Sequence, residues 1–512
     1  MTGRGRDPGH EGGRSAGQGR RASRERPARS AQAPRQRSRA GDPARRTAYA
    51  VVRAVAGGAY TNLELTQALR RARLSGRDAA FVTELVSGTM RWQGRYDAVI
   101  AAAASRDVGS LEPPVLDTLR LGAHQILGMR VPEHAAVGET VALARDVNGI
   151  GASKLVNAVL RRVSERPLEE WLALTVPSHP PVTRMAALHS HPEWIVKALR
   201  QALLGHGTAT PESVDNELTA LLEADNAAPT MHLVARPGLG ADDELRSAGA
   251  EEYALAPTAW TLSGGDPGRI AAVRDGRAAV QDAGSQLVAL ALTRATLTGP
   301  AAEAAERWLD LCAGPGGKAG LLAAVALGAG ADLVANEVST TRAELVRSTL
   351  SAVGEQARAA GRSIEVRVGD GREVGSLEPG RYTRVLVDAP CTGLGALRRR
   401  PEARWRRSPS DLTTLGPLQR ALLGSALDAT MPGGVVGYAT CSPHLAETSF
   451  VVADVLKRRQ DVEVVDARDL FRDRSGRMVA DLGDGPAVQL WPHRHGTDAM
   501  FLALLRRSAA VP

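Results

Sequence analysis

From about Val280 onward, short apolar runs alternate with helical stretches: RWLDLC, ADLVANE, SIEVRVGD, TRVLVDAP, GGVVGYAT and AMFLALL. A strand that returns parallel to its neighbour needs a crossover long enough for a helix. The alternation therefore predicts a mostly parallel sheet with helices on both faces, a doubly wound α/β domain. Such sheets bind ligands in the crevice outside the carboxyl ends of their strands. Residues just past the strand ends are thus the first place to look for chemistry. Two of the chain's three cysteines, Cys391 and Cys441, fall there.

The rest of the chain follows other rules. From Thr47 to Arg162 the period is helical, as in VLDTLRLGAHQIL, where Leu116, Leu119, Ala123, Ile126 and Leu127 share a face. We expect a small all-α domain over residues 45–170, a linker and small α/β subdomain over 171–275, and the α/β domain over 276–508. Residues 1–44 are rich in Arg, Gly, Ser and Pro and have almost nothing to bury, so they read as a disordered tail. The net charge of +8 belongs to this end: residues 1–46 carry 13 Arg and four acids, a net +9, which leaves the body at −1. The tail is either a phosphate-binding arm or a solubilising extension. MTGRGRDPGHEGG has no apolar signal-peptide region and no long apolar window follows, so no membrane segment is expected. Three scattered cysteines form no disulfide framework and fit a reducing cytoplasm.

The first strand of the α/β domain runs into DLCAGPGGKAG. Gly314, Gly316 and Gly317 make a tight turn whose backbone can approach a ligand. It is not a phosphate-binding P-loop, because no Ser or Thr follows Lys318. Glu337, Asp370 and Asp388 end the next three strands. Each alone can cap a helix. Together they favour a nucleoside whose middle is neutral or cationic, and they repel a pyrophosphate. S-adenosylmethionine meets those terms, with ribose hydroxyls for Glu337 and a sulfonium that tolerates carboxylates.

A pyrimidine C5 carbon does not attack a methyl sulfonium unaided. A thiolate adding at C6 makes C5 enamine-like and able to accept the methyl group; the C5 proton and the thiolate must then leave. Two thiols at neighbouring strand ends beside a methyl donor match that need. The bland alternative is that both are small buried hydrophobes, which is also the reading for Cys312 inside the first turn. A Cys–His hydrolase using His444 is a further option, but it leaves the glycine turn and the three acids without a purpose.

LDLCAGPGGKAG, VLVDAPCTGLGALRRRPEARW and YATCSP resemble the motifs of the RNA cytosine-C5 methyltransferases. HRHGTDAMFLALL is similar to that family's closing strand, and SHPEW and VQDAGSQ extend the likeness to the bacterial 16S ribosomal RNA enzymes of the RsmB (Sun) type. KLVNAVLRR is similar to the last helix of the antitermination factor NusB, so the likeness covers about residues 45–508. The resemblance implies an N-terminal NusB-like domain and a C-terminal Rossmann-like methyltransferase domain. It implies Cys441 as nucleophile, Cys391 as the thiol that resolves the adduct, and Asp388 beside both donor and base. It implies a donor site of Cys312, Ala313, Gly314, Pro315, Gly316, Gly317, Lys318, Glu337, Asp370 and Asp388. Gly314 stands where the family usually has Ala, and Glu337 where it usually has Asp.

The target base must be unpaired or flipped, because a duplex hides its C6 face. LRRRPEARWRR follows Cys391, and Arg398, Arg399, Arg400, Arg404 and Trp405 read as RNA contacts, against the alternative of a solvated basic helix. His493 and His495 near Asp498 read as a structural turn and not as a metal site. The expected partner is 16S rRNA or a small-subunit precursor, with the protein acting as a monomer. Transfer RNA as substrate and an inactive RNA-binding assembly factor are the competing readings.

Overall fold

A computed structural model describes residues 42–508, so the expectations for the arginine-rich N-terminal segment lie almost wholly outside the described residues. The first helix, Pro43–Ala56, begins where the sequence prepares a helix start: the Asp42 carboxylate accepts from the Ala44 amide at 3.3 Å and Pro43 occupies the first turn. It buries Ala48, Val51, Val52 and Val55 against Val82, Leu85, Leu121 and Leu143 of neighbouring helices. A second core holds Val99, Ile100, Leu119, Val156 and Leu160. The helical period of residues 47–162 thus became a helical bundle, as expected.

Residues 171–226 differ from the expectation, which placed a linker there. They form the helices Leu168–Thr175, Pro181–His189, Glu193–Gly205 and Val214–Asn226. Prolines of this region sit at helix starts: Pro181 is in a first turn, and Pro167, Pro180 and Pro192 precede one. Proline costs nothing there, because the amide it lacks has no helical partner.

Two sheets follow. The small one contains β1 (Met231–Ala235), β2 (Glu251–Glu252), β3 (Ala259–Leu262) and β4 (Ala278–Val280) in the order β2-β3-β1-β4, with antiparallel pairings. The large one contains β5 (Arg307–Asp310), β6 (Asp332–Glu337), β7 (Ile364–Val368), β8 (Tyr382–Asp388), β9 (Thr430–Thr440), β10 (Val462–Val465), β11 (Val488–Gln489) and β12 (Phe501–Arg507). Its order is β10-β12-β9-β8-β5-β6-β7, with β11 paired to β12. Strands β5 to β9 run parallel, and β12 and β10 antiparallel, so the sheet is mixed.

Both faces are covered. Leu386 packs with Leu287, Leu321, Leu322 and Val346 on one face, while Val385 and Val387 pack with Leu422, Leu423 and Val451 on the other. That is why these strands read as continuous apolar runs. The chain passes from β5 outward to β7, then returns to place β8 on the other side of β5. The strand order reverses there, and the crevice opens at that point. No helix among the described residues is long and apolar enough to cross a membrane.

Candidate active site

A cleft of about 1130 Å³ lies at this reversal, lined by the glycine turn, the strand-end acids and both cysteines Cys391 and Cys441. Strands β8 and β9 are neighbours in parallel register, with Asp388 opposite Ala439. The loops leaving their ends are therefore adjacent, and they carry Cys391 and Cys441 to a sulfur–sulfur distance of 3.5 Å.

The two thiols do not share charge equally. The hydrogen bond to Cys441, together with burial, pushes the Cys391 thiol well above its ordinary value. The same bond holds Cys441 below its ordinary value against burial, helped by the Arg400 and Lys318 charges. Of the pair, Cys441 is the one whose surroundings, with the Arg400 and Lys318 charges acting on it, favour the thiolate. Cys312 differs: burial and nearby carboxylates drive its thiol well above the ordinary range, so its surroundings disfavour the thiolate.

The glycine turn connects β5 to the helix Gly317–Gly328. Gly316 has φ +111°, and a Cβ there would meet Thr349 at 2.9 Å, so a side chain is excluded twice over. Glu337 lies buried beside the turn: Oε2 accepts from the Gly314 amide at 3.1 Å and Oε1 from the Ser339 amide at 2.8 Å. Arg342 pairs with the same carboxylate at 2.6 Å. Lys318 reaches across the reversal point and donates to Asp388 at 2.9 Å. Burial works against the Lys318 charge, but Asp388 outweighs it and holds the ammonium above its ordinary value. Asp370 lies further out, held below its usual range by Arg372.

Two buried carboxylates that sequence reasoning missed organise the site. Asp310 is pushed up to about 7 by burial, with the Asp388 charge adding to the effect, and its Oδ2 has no hydrogen-bond partner among the described residues. It stands in LDLCAGPGG, one strand end before the acids singled out, and the same strand-end rule would have found it. Glu447 is fully buried and clamps the Cys391 loop. It accepts from the Thr392 amide at 2.7 Å, from the Thr392 hydroxyl, and from Gln419 at 3.2 Å. Thr392 in turn lies 3.1 Å from the Ser442 hydroxyl, so one carboxylate ties the loops of both cysteines together.

The arginine-rich loop requires a correction. Arg398 and Arg404 do not face solvent, and Trp405 is not a free stacking surface. Arg398 is buried against Asp282 at 3.2 Å and Asp498 at 3.4 Å, and Arg399 also pairs with Asp498. This explains Asp498 and the HGTDA segment without a metal; among the described residues no cluster could hold one. Arg404 is fully buried, donating to the carbonyls of Arg91 at 3.1 Å and Asp225 at 2.7 Å and to Asn226 at 2.7 Å. Trp405 packs on Gly94, where a Cβ would meet its ring at 2.9 Å. The loop docks the helical region onto the α/β domain. Arg400 remains exposed at the cleft, and Arg399 lines it while engaged with Asp498.

The reversal-point cleft, the glycine turn and the acids at successive strand ends define a Rossmann-like methyltransferase domain carried behind a helical domain. The sequence matches the family described as 16S rRNA methyltransferase RsmB/F over residues 298–506 and the NusB family over residues 42–165. A putative methyltransferase of Mycobacterium tuberculosis is 50% identical, covering 91% of this chain and 97% of its own. The ribosomal RNA small subunit methyltransferase B of Pseudomonas syringae pv. tomato is 30% identical, covering 92% and 98%. The solved structure of the protein PH0851 shares the fold, with a TM-score of 0.73 at 20% identity, covering 91% of this chain and 98% of that one. The chain belongs to the RsmB/F family of 16S rRNA methyltransferases.

Proposed function

We propose that the protein transfers a methyl group from S-adenosylmethionine to C5 of a cytosine in 16S rRNA or its small-subunit precursor, through a covalent bond between Cys441 and C6. The observation that carries this reading is the pair of thiols 3.5 Å apart in the cleft, one biased toward thiolate and the other toward thiol.

The donor fits the residues present. At Gly317, which lines the cleft, a Cβ would meet nothing nearer than Gln281 at 3.9 Å, so the turn's backbone is open to a ligand; Glu337 offers a buried carboxylate to ribose hydroxyls, and Asp388 and Asp370 flank the cleft without demanding an anionic ligand. When bound, the donor supplies an electrophilic methyl group. The rest is done by the chain. Cys441 adds to C6, forming the S–C6 bond and raising electron density at C5. Lys318 fixes the Asp388 carboxylate, which accepts from the base's exocyclic amine. After C5 has gained its methyl group, its proton passes to water entering the open cleft, the C–H electron pair reforms the C5–C6 double bond, and the S–C6 bond breaks with its electron pair returning to Cys441, whose departing sulfur Cys391 stabilises by donating a hydrogen bond.

The test is transfer of labelled methyl to unmodified 16S RNA, with transfer RNA in parallel. Label in 16S RNA that vanishes in Cys441→Ala is expected. Label only in transfer RNA overturns the substrate, and transfer that persists in Cys441→Ala overturns the mechanism.

A further inference from the structure

Tyr60 is the residue through which the helical region lines the cleft. The residue is 51% exposed, although the backbone on both sides is fixed by the arginine-rich loop. Before it, Arg406 donates to the carbonyls of Val55, Gly58 and Ala59. After it, the buried Glu402 accepts from the Thr61 amide at 3.3 Å and hydroxyl at 2.8 Å. The Arg400 and Arg406 guanidiniums sit 5.5 and 6.0 Å from the ring centroid.

Ordering two long arginines and burying a glutamate costs conformational entropy. The ring so positioned hides only half its surface, so packing alone does not account for the arrangement. An aromatic face held still beside two guanidiniums suits a nucleotide: the base stacks on the ring and the phosphate meets the cations. Stacking is available to any base, so such a site positions a strand without choosing its sequence. Arg400 links the ring to the chemistry, because its charge also favours the Cys441 thiolate.

We propose that Tyr60 is a nucleotide-stacking residue of the RNA site. The base of a nucleotide flanking the target cytosine packs on its ring, and the adjoining phosphate lies on Arg400. The inference rests on the RNA reading of the cleft given above, and it makes the helical region a direct contributor to that cleft.

The full-length protein is compared with Tyr60→Ala and Tyr60→Phe by fluorescence anisotropy on a labelled, unmodified single-stranded 16S fragment, and by steady-state methyl transfer. Tyr60→Ala is expected to weaken RNA binding and raise the RNA KM by about tenfold, the size of one lost base stack, with kcat and donor affinity unchanged. Tyr60→Phe keeps the ring and is expected to bind like the wild type. Wild-type RNA affinity in Tyr60→Ala overturns the proposal. So does a loss of kcat at unchanged KM, which makes Tyr60 a positioning residue for the arginine loop. Binding is read without turnover, so a wild type that binds RNA but makes no 5-methylcytosine refutes the chemistry and still decides the role of Tyr60.

Discussion

The two positions at which the proposed donor site departs from the motif it resembles touch each other, and that contact yields a quantitative prediction. Gly314 donates its amide to Glu337 at 3.1 Å. A Cβ added at Gly314 would collide with the Glu337 Oε2 and lie 2.9 Å from its Cδ. Glu337 is 2% exposed and already tied to Ser339 and Arg342, so its carboxylate has nowhere to swing without giving up a bond. Losing one hydrogen bond to a charged group costs about 1.5–3 kcal/mol, which is roughly ten- to hundredfold in affinity. Gly314→Ala is therefore expected to weaken S-adenosylmethionine binding by at least about tenfold, measured by calorimetry without RNA. Glu337→Asp withdraws the carboxylate by one methylene and vacates the space a Cβ needs. The double variant is expected to bind the donor better than Gly314→Ala alone, with a coupling of about 1 kcal/mol or more. Donor binding unchanged in Gly314→Ala, or strictly additive effects in the pair, refutes the reasoning.

Other consequences follow from the buried charges. Glu447→Gln turns one acceptor of the Thr392 clamp into a donor, and it is expected to cost about 2 kcal/mol of stability and to lower single-turnover methylation more than RNA binding. Arg404→Ala strips the carbonyls of Arg91 and Asp225 of their donor, so it is expected to cost about 3 kcal/mol of stability, read in denaturant unfolding. Arg400→Ala, at an exposed position, is expected to leave melting unchanged while weakening RNA binding and moving the pH limb of the rate upward, because its charge favours the Cys441 thiolate. Asp225 is raised to about 7 by burial. The folded chain therefore holds a proton that the unfolded chain has lost, and stability falls as pH rises from about 4 toward that value. Melting at pH 5 and pH 8 is expected to differ by up to about 3 kcal/mol more in the wild type than in Asp225→Asn.

What the sequence made legible, and what it hid, follows from the range of the interactions. Strand ends are local features, so Glu337, Asp388, Cys391 and Cys441 were found from apolar runs and the residues that stop them; parallel β8 and β9 then brought the thiols together. The helices of residues 168–226 were hidden because they are short and spaced by prolines, of which Pro181 and Pro192 here mark starts. The arginine loop was misread because a run of like charges does not say which member turns inward. Arg404 finds its partners at Arg91 and Asp225, more than 170 residues away in sequence, and no local pattern reports that. Glu447 was missed for the same reason, since its partner Thr392 lies on the loop from another strand.

The most direct test of the central claim is mass spectrometry of 16S RNA and protein after reaction with S-adenosylmethionine, comparing wild type with Cys391→Ala. The account predicts 5-methylcytosine from the wild type, and from Cys391→Ala an accumulated protein–RNA adduct whose cross-linked peptide contains Cys441. Methyl at another atom of the base, or an adduct that forms without Cys441, would contradict it.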